Sequence, residues 1–350
     1  MKNFWETLPK PFFALAPLAN VTDAVFRHII AKYSKPDGPS ATPEAKFIMY
    51  TEFVSADGLC LAHEEGRATL MRDLVFSEAE RPMVAQFFTA TPEHMEKVAA
   101  LAQELGFDGV DINMGCPDKV IEKQGAGAKL MLTPTLAQEL IAAAKRGAPN
   151  LPISIKTRLG YNKDILEDWL PALLEAKPAA IAIHARTRKE MSSVSAHWGR
   201  IKRAVEIRDE LKSNTLIIGN GDLVDIEDAK QKIKETGADG AMLGRAIFGK
   251  PWLFVGSGES KKSFFGEMNG TPTPSKESFD SPAFRLRVVV EHTKLFEELL
   301  GDIKNFAIMK KHFKAYCEGF PGAKELRVQL METNSASKVE EIVERFLRSR

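Results

Sequence analysis

Short apolar runs recur along the chain at Phe12–Ala16, Phe47–Thr51, Met83–Phe87, Gly109–Ile112, Ile153–Thr157, Ala180–His184, Leu216–Gly219 and Gly240–Leu243. Between them apolar residues return every three or four positions, the period of a helix with one buried face. Thr91-Pro92-Glu93 has the layout of a helix start: an N-cap, a proline at the first helical position and an acid in the first turn. Thr133-Pro134 repeats the device. Runs that are apolar throughout, without alternation, predict strands covered on both faces and hence a parallel sheet. Eight such units within about 250 residues predict a closed (β/α)8 TIM barrel. A doubly wound Rossmann sheet is the competing architecture. Against it, the first run leads into Pro17-Leu18-Ala19-Asn20 and not into a GxGxxG turn.

Two stretches break this rhythm. Lys35–Lys46 is rich in proline and polar residues and reads as a surface insertion, and Gly256–Pro282 has the Gly, Ser, Thr and Pro content of a linker. The expected organisation is a barrel over 1–255, a linker over 256–282 and a small helical domain over 283–350. No internal repeat is visible beyond the strand–helix alternation itself. The segment Ser281–Arg350 carries 13 Lys+Arg against 10 Asp+Glu, a local excess of three in a chain whose net charge is +1. That balance argues against an indiscriminate polyanion binder and leaves room for a local basic surface. With 350 residues, 44% apolar and 27% charged, the chain is ordinary globular material, which excludes disorder, collagen and a disulfide miniprotein. No stretch approaches the roughly 18 uncharged apolar residues of a membrane span. The opening Met1-Lys2-Asn3-Phe4-Trp5-Glu6 lacks a secretory layout, so a cytoplasmic location is expected. Three cysteines, Cys60, Cys116 and Cys317, without CxxC spacing argue against a disulfide framework and a zinc knuckle.

A barrel does its chemistry where its strands end. Just past the predicted strands stand Pro17-Leu18-Ala19-Asn20, Glu52, Gln86, Asn113-Met114-Gly115-Cys116-Pro117, Lys156-Thr157-Arg158, His184-Ala185-Arg186, Asn220-Gly221-Asp222 and Gly244-Arg245. The last two groups suit a phosphate, through close backbone approach at glycine and one arginine. A flavin mononucleotide, a nucleotide or a sugar phosphate would each fit them. Cys116 ends a strand and precedes the glycine-rich Lys123-Gln124-Gly125-Ala126-Gly127-Ala128, whereas Cys60 and Cys317 read as small buried hydrophobes. Three roles are open to Cys116: nucleophile, metal ligand or proton donor. No His or acid at a suitable local spacing suggests a metal site. A thiol near its free pKa of about 8.5 keeps its proton at neutrality and can donate it.

These blocks carry a resemblance. Ala16-Pro17-Leu18 with Thr22-Asp23, Gln86, Asp111-Ile112-Asn113-Met114-Gly115-Cys116-Pro117, Lys123, Gly125-Ala126-Gly127-Ala128, Ile155-Lys156-Thr157-Arg158-Leu159-Gly160, Ile183-His184-Ala185-Arg186-Thr187-Arg188, Asn220-Gly221-Asp222 and Gly244-Arg245 stand in one order. In that order the chain resembles the tRNA-dihydrouridine synthases, flavin enzymes that reduce uridine in tRNA. The blocks cover most of residues 12–254, and the tail matches only in kind. Leu18, where Met is common, and the 35–46 insertion depart from the family pattern without removing a reacting group.

The resemblance implies FMN as cofactor and NADPH, or NADH, as electron donor. Pro17, Leu18 and Ala19 would floor the flavin ring, Gln86 would bond its polar edge, and Lys156 would stabilise charge near N1 and O2. His184 would support the ring or the phosphate side. Asn220, Gly221, Asp222, Gly244 and Arg245 would hold the phosphate. Asn113 would bind an edge of the uracil, and Cys116 would be the general acid that protonates C5 after a hydride reaches C6. With no second Rossmann domain evident, the nicotinamide and the tRNA are expected to use one mouth in turn. A uridine must be flipped out to reach such a mouth, so basic residues should surround it. Arg158 and Arg186 at the strand ends, the run Arg186, Arg188, Lys189, Arg200, Lys202 and Arg203, and Lys304, Lys310, Lys311 and Lys314 in the tail are the expected contacts. A monomer without metal is expected. Two other readings compete: an FMN barrel acting on a small molecule such as dihydroorotate, and a tRNA-binding barrel that has lost catalysis.

Overall fold

A computed structural model describes residues 3–35, 47–255, 279 and 281–349. The expected insertion and linker therefore lie outside the described residues, apart from Lys35, Phe279, Ser281 and Pro282. Among the described residues there are nine strands: β1 (Phe12–Leu15), β2 (Met49–Tyr50), β3 (Val54–Ser55), β4 (Met83–Phe88), β5 (Gly109–Met114), β6 (Ile153–Arg158), β7 (Ala180–His184), β8 (Leu216–Asn220) and β9 (Gly240–Leu243). They pair in parallel in the order β1-β9-β8-β7-β6-β5-β4-β2, with β3 added beside β4. A bridge between Ala14 and Ile48 brings the two ends of this order together, with Leu15 N–H donating to the Ile48 carbonyl at 2.8 Å. The eight-stranded barrel read from the apolar runs is the observed architecture.

Two strands differ from expectation. The run at 47–51 yields only a two-residue strand, although Thr51 still donates to Val84 O and its hydroxyl accepts the Gln86 N–H. The short β3 was not anticipated. β4 and β5 are buried at every position, the pattern of strands covered on both faces. Inside, Phe12, Ala14, Ile48, Tyr50, Val84, Ala180, Ala182, Ile218 and Met242 pack as one apolar plug. Helices Pro92–Glu104 and Pro134–Gly147 begin with proline as predicted. Neither Thr91 nor Thr133 caps through its hydroxyl. The Thr91 carbonyl instead accepts from His94 and Met95.

The chain divides into two compact units, Met1–Ala24 with Lys46–Arg245, and Val25–Ala45 with Ala246–Arg350. The division expected at 255 is thus drawn elsewhere: the helix Ala24–Ser34, which follows β1 in the chain, groups with the C-terminal helices. Its Phe26 stacks on His292 with ring centroids 4.9 Å apart and meets His312 edge-on, and Tyr33 Oη donates to Glu291 at 2.6 Å. The second unit is completed by helices Pro282–Leu300, Met309–Tyr316, Ala323–Met331 and Ala336–Arg348. Among the described residues, no helix is long and apolar enough to cross a membrane.

Candidate active site

In a parallel sheet, residues in register stand side by side, and every second residue of a strand faces the same way. The register pairs Gln86 with Asp111, Asn113 with Lys156, Arg158 with His184, and His184 with Asn220. Gln86, Asn113, Lys156, His184 and Asn220 are thereby brought together at the carboxyl ends of five neighbouring strands. The Asn220 amide donates to Met242 O at 2.7 Å and accepts from the Lys156 ammonium at 3.4 Å. Burial is the main cause that lowers Lys156 to about 8, with Arg158 adding to it.

The Cys116 loop is tied down from several sides. Asn113 Oδ1 accepts from Gly115 N at 3.1 Å and Cys116 N at 2.9 Å, and Arg158 Nε donates to Gly115 O at 2.8 Å. The Cys116 carbonyl accepts from Ala128 N. A Cβ on Gly127, whose φ is +60°, would come within 2.8 Å of that carbonyl, which explains a glycine in this left-handed turn. The side chain packs against the cluster of Phe88, Ile121 and Ala126. Desolvation dominates there and pushes the thiol above its ordinary pKa, so it is protonated at neutral pH. Of the other two cysteines, Cys317 is fully buried and pushed up to about 12, whereas Cys60 is half-buried.

Across the mouth the glycine turn after β8 is held by Trp198, whose Nε1 donates to Gly221 O at 2.9 Å. Asp222 accepts from Ala196 N at 2.8 Å and from Arg245 Nη2 at 2.7 Å, and it forms a short ion pair with Arg186. Its carboxylate faces these cations, so residue 222 can offer an anion only its backbone. Arg186 also meets His184 Nε2 at 3.1 Å. A guanidinium only donates, so that nitrogen accepts and the imidazole proton sits on Nδ1. Burial first, then the charges of Lys156, Arg158, Arg186 and Arg245, lower His184 to about 2, and it is neutral throughout the physiological range. After β1, Leu18 N–H donates to the Thr22 hydroxyl, Leu18 O accepts from Val21 and Thr22, and Asn20 N–H binds the Glu52 carboxylate, fixing the Pro17-Leu18-Ala19 turn.

The expected substrate contacts are placed differently from the ring residues. Arg158 spends its donors on the carbonyls of Gly115, Thr187 and Met191, and Arg186 spends its own on Val194 O, His184 and Asp222. Both hold loops in this arrangement. In the basic run, Arg188 pairs with Glu122, Arg200 with Asp164 and Glu167, and Arg203 with Glu167, Glu206 and Glu210. In the second unit Lys311 and Lys314 are exposed and without an ion pair among the described residues. Sequence reasoning gave no role to two residues of the site. Asp111 is buried among apolar neighbours in β5, and Ser154 bonds it from β6 at 2.6 Å. A carboxylate inside the run Gly109–Met114 was the signal for the first; nothing local marks the second. No group of three or more His, Cys, Asp or Glu able to hold a metal occurs among the described residues.

A barrel whose strand ends converge on a half-buried ammonium, a neutral imidazole and a protonated thiol belongs with the proteins that carry out chemistry at that rim. Comparison with known proteins narrows the class. The chain belongs to the family described as dihydrouridine synthase (Dus), which it matches over residues 14–350. A relative named probable tRNA-dihydrouridine synthase, from Staphylococcus aureus (strain COL), is 39% identical over 99% of this chain and 96% of its own length. Another, named probable tRNA-dihydrouridine synthase 2, from Bacillus subtilis (strain 168), is 38% identical over 99% of this chain and 97% of its own.

Proposed function

We propose that the protein reduces the C5=C6 bond of a uridine in tRNA to 5,6-dihydrouridine, in the cytoplasm, with FMN as cofactor and NADPH or NADH as the electron source. The observation that carries this reading is a protonated thiol, Cys116, seated in a family barrel whose rim holds Gln86, Lys156, His184 and Asn220. The rim suits a flavin. The Lys156 ammonium is half-buried with one long hydrogen bond, at 3.4 Å, so it lacks the close anionic partner that a ring edge carrying charge would supply. Gln86 has one amide N–H left over after bonding Asp111, and can donate to that edge. The turn at Gly221 and the Gly244-Arg245 step offer backbone and one cation to a phosphate. Reduced FMN, when bound, supplies the hydride.

The remaining work falls to the chain's own groups. Uracil C6 is electrophilic because it is conjugated to the C4 carbonyl, and bond formation there leaves an electron pair on C5 and O4. Cys116 ends that charge: its S–H bond breaks, a C5–H bond forms, and the thiolate regains a proton from solvent. Lys156 places positive charge beside the ring, and neutral His184 supports it without adding more.

A second reading, a flavin barrel acting on a small molecule, gains from the ion pairing of Arg188, Arg200 and Arg203. One experiment separates the two. Purified protein with FMN and NADPH is given unmodified tRNA, free uridine or dihydroorotate, and dihydrouridine is measured by mass spectrometry. Dihydrouridine in tRNA alone is the expected result. Turnover of the small molecules with unaltered tRNA would overturn it.

A further inference from the structure

Four buried side chains form one unbroken path from the barrel interior to the Cys116 loop. Ser154 Oγ donates to Asp111 Oδ1 at 2.6 Å, Gln86 Nε2 donates to Asp111 Oδ2 at 2.6 Å, and Asn113 Nδ2 donates to Gln86 Oε1 at 3.0 Å. Asn113 Oδ1 then accepts from the backbone N–H groups of Gly115 and Cys116. Gln86, Asp111 and Asn113 are all at least nine-tenths buried, so water cannot substitute for a lost partner.

The two ends of this path have fixed chemistry. An ionised carboxylate only accepts, and a backbone N–H only donates. Two amides lie between them, and each could in principle be turned over. Only one orientation of both satisfies every link: Gln86 presents nitrogen to Asp111 and oxygen to Asn113, and Asn113 presents nitrogen to Gln86 and oxygen to the loop. If either amide turned, like groups would face each other in a dry interior.

We propose that Asp111 is a positioning residue: through Gln86 and Asn113 its acceptor oxygen fixes the orientation of both amides and so seats Cys116 for the reduction argued above, a role that rests on that reading. The requirement is for an acceptor at position 111, not for its charge. Asp111 is surrounded by Gln86 from β4, Ser154 and Lys156 from β6 and Tyr50 from β2, and Lys156 is the cation that opposes the cost of burying its carboxylate. Burial raises Asp111 to about 6, which leaves it ionised at neutral pH. When it is neutral, Ser154 can turn to accept a hydrogen bond from its O–H, and the oxygen facing Gln86 is kept.

Two substitutions separate this role from simple space filling. Asp111→Leu keeps the branched skeleton and removes the acceptor. Asp111→Asn keeps an oxygen for Gln86 and can turn its NH2 to Ser154 Oγ. Amide hydrogen exchange, resolved to Gly115 and Cys116, is read on the full chain loaded with FMN. In Asp111→Leu these two amides should exchange roughly tenfold faster, as orphaned donors do, while Asp111→Asn restores protection. Reoxidation of the NADPH-reduced enzyme by tRNA should fall and recover in parallel. Wild-type protection in Asp111→Leu, or equal loss in both variants, would overturn the proposal. Should Asp111→Leu fail to fold, Gln86→Met breaks the same path one link further on, and unchanged protection there refutes it equally. Exchange is measured without tRNA. Absence of dihydrouridine from every form, wild type included, would therefore count against the proposed reaction, while the exchange data still judge the path.

Discussion

Burial acts with opposite sign on the two reacting groups of the mouth. It lowers Lys156 to about 8 and raises the Cys116 thiol, because it disfavours an ammonium and a thiolate alike. As pH rises, Lys156 loses its proton before Cys116 does, so at neutrality the site holds a cation and a proton donor together. Cys116→Ala removes only the donor. NADPH-driven flavin reduction should be unchanged in that variant, while dihydrouridine formation drops by about 100-fold or more, the usual size of a lost general acid. Single-turnover measurement of each half-reaction checks this. Equal slowing of both halves would instead point to a damaged cofactor site. Gln86, Asn113, Lys156, His184 and Asn220 were legible from sequence, because a strand-end rule needs only the strand. The directions of Arg158 and Arg186 were not. Each bonds carbonyls or a carboxylate brought near by other loops, and no local pattern encodes those partners.

Among elements, the strands were readable because a parallel strand buried on both faces is apolar at every position and needs no knowledge of its neighbours. The helix Ala24–Ser34 shows the complement. Its buried Val25, Phe26, Ile29, Ile30 and Tyr33 mark a helix with one apolar face, but that stripe does not say what covers it, and the covering helices come from the far end of the chain. Where two barrel helices meet, a glycine sets the distance. A Cβ at Gly147 would lie 2.0 Å from the Glu96 carbonyl oxygen, a backbone atom that cannot swing aside. Gly147→Ala should therefore force helices Pro92–Glu104 and Pro134–Gly147 apart and destabilise the barrel by about 1–3 kcal/mol, despite alanine's better helix propensity. Urea unfolding of the two proteins measures it. An alanine variant as stable as wild type would show that the helices can shift at no cost.

For the molecule as a whole, two features of the second unit govern acid stability and nucleic-acid binding. His292 and His312 are fully buried, the first stacked on Phe26 and the second edge-on to it, and neither ring makes a hydrogen bond among the described residues. Burial lowers both, His312 to about 3 with Lys311 adding to the effect, and His292 well below its ordinary value with His312 adding. The unfolded chain then binds more protons than the folded one below the ordinary histidine value of 6.5. The stability that these neutral rings allow is complete above that pH and is lost as pH falls toward 3. Exchange protection of Pro282–Leu300 and Met309–Tyr316 should accordingly weaken between pH 7 and 5, and His292→Phe should blunt the loss. The same helix that buries His312 and Phe313 presents Lys311 and Lys314 outward, three positions apart and on one face. No carboxylate pairs with them among the described residues, unlike Arg188, Arg200 and Arg203, whose charge is already met within the protein. An unpaired lysine that reaches a phosphate releases a counterion, and a paired arginine must first give up its partner. Lys311→Glu with Lys314→Glu should thus weaken tRNA binding and lower the log–log salt slope by about one to two, while leaving flavin reduction by NADPH intact. An unchanged slope, with binding lost only when Arg200 and Arg203 are replaced, would place the RNA on the first unit instead.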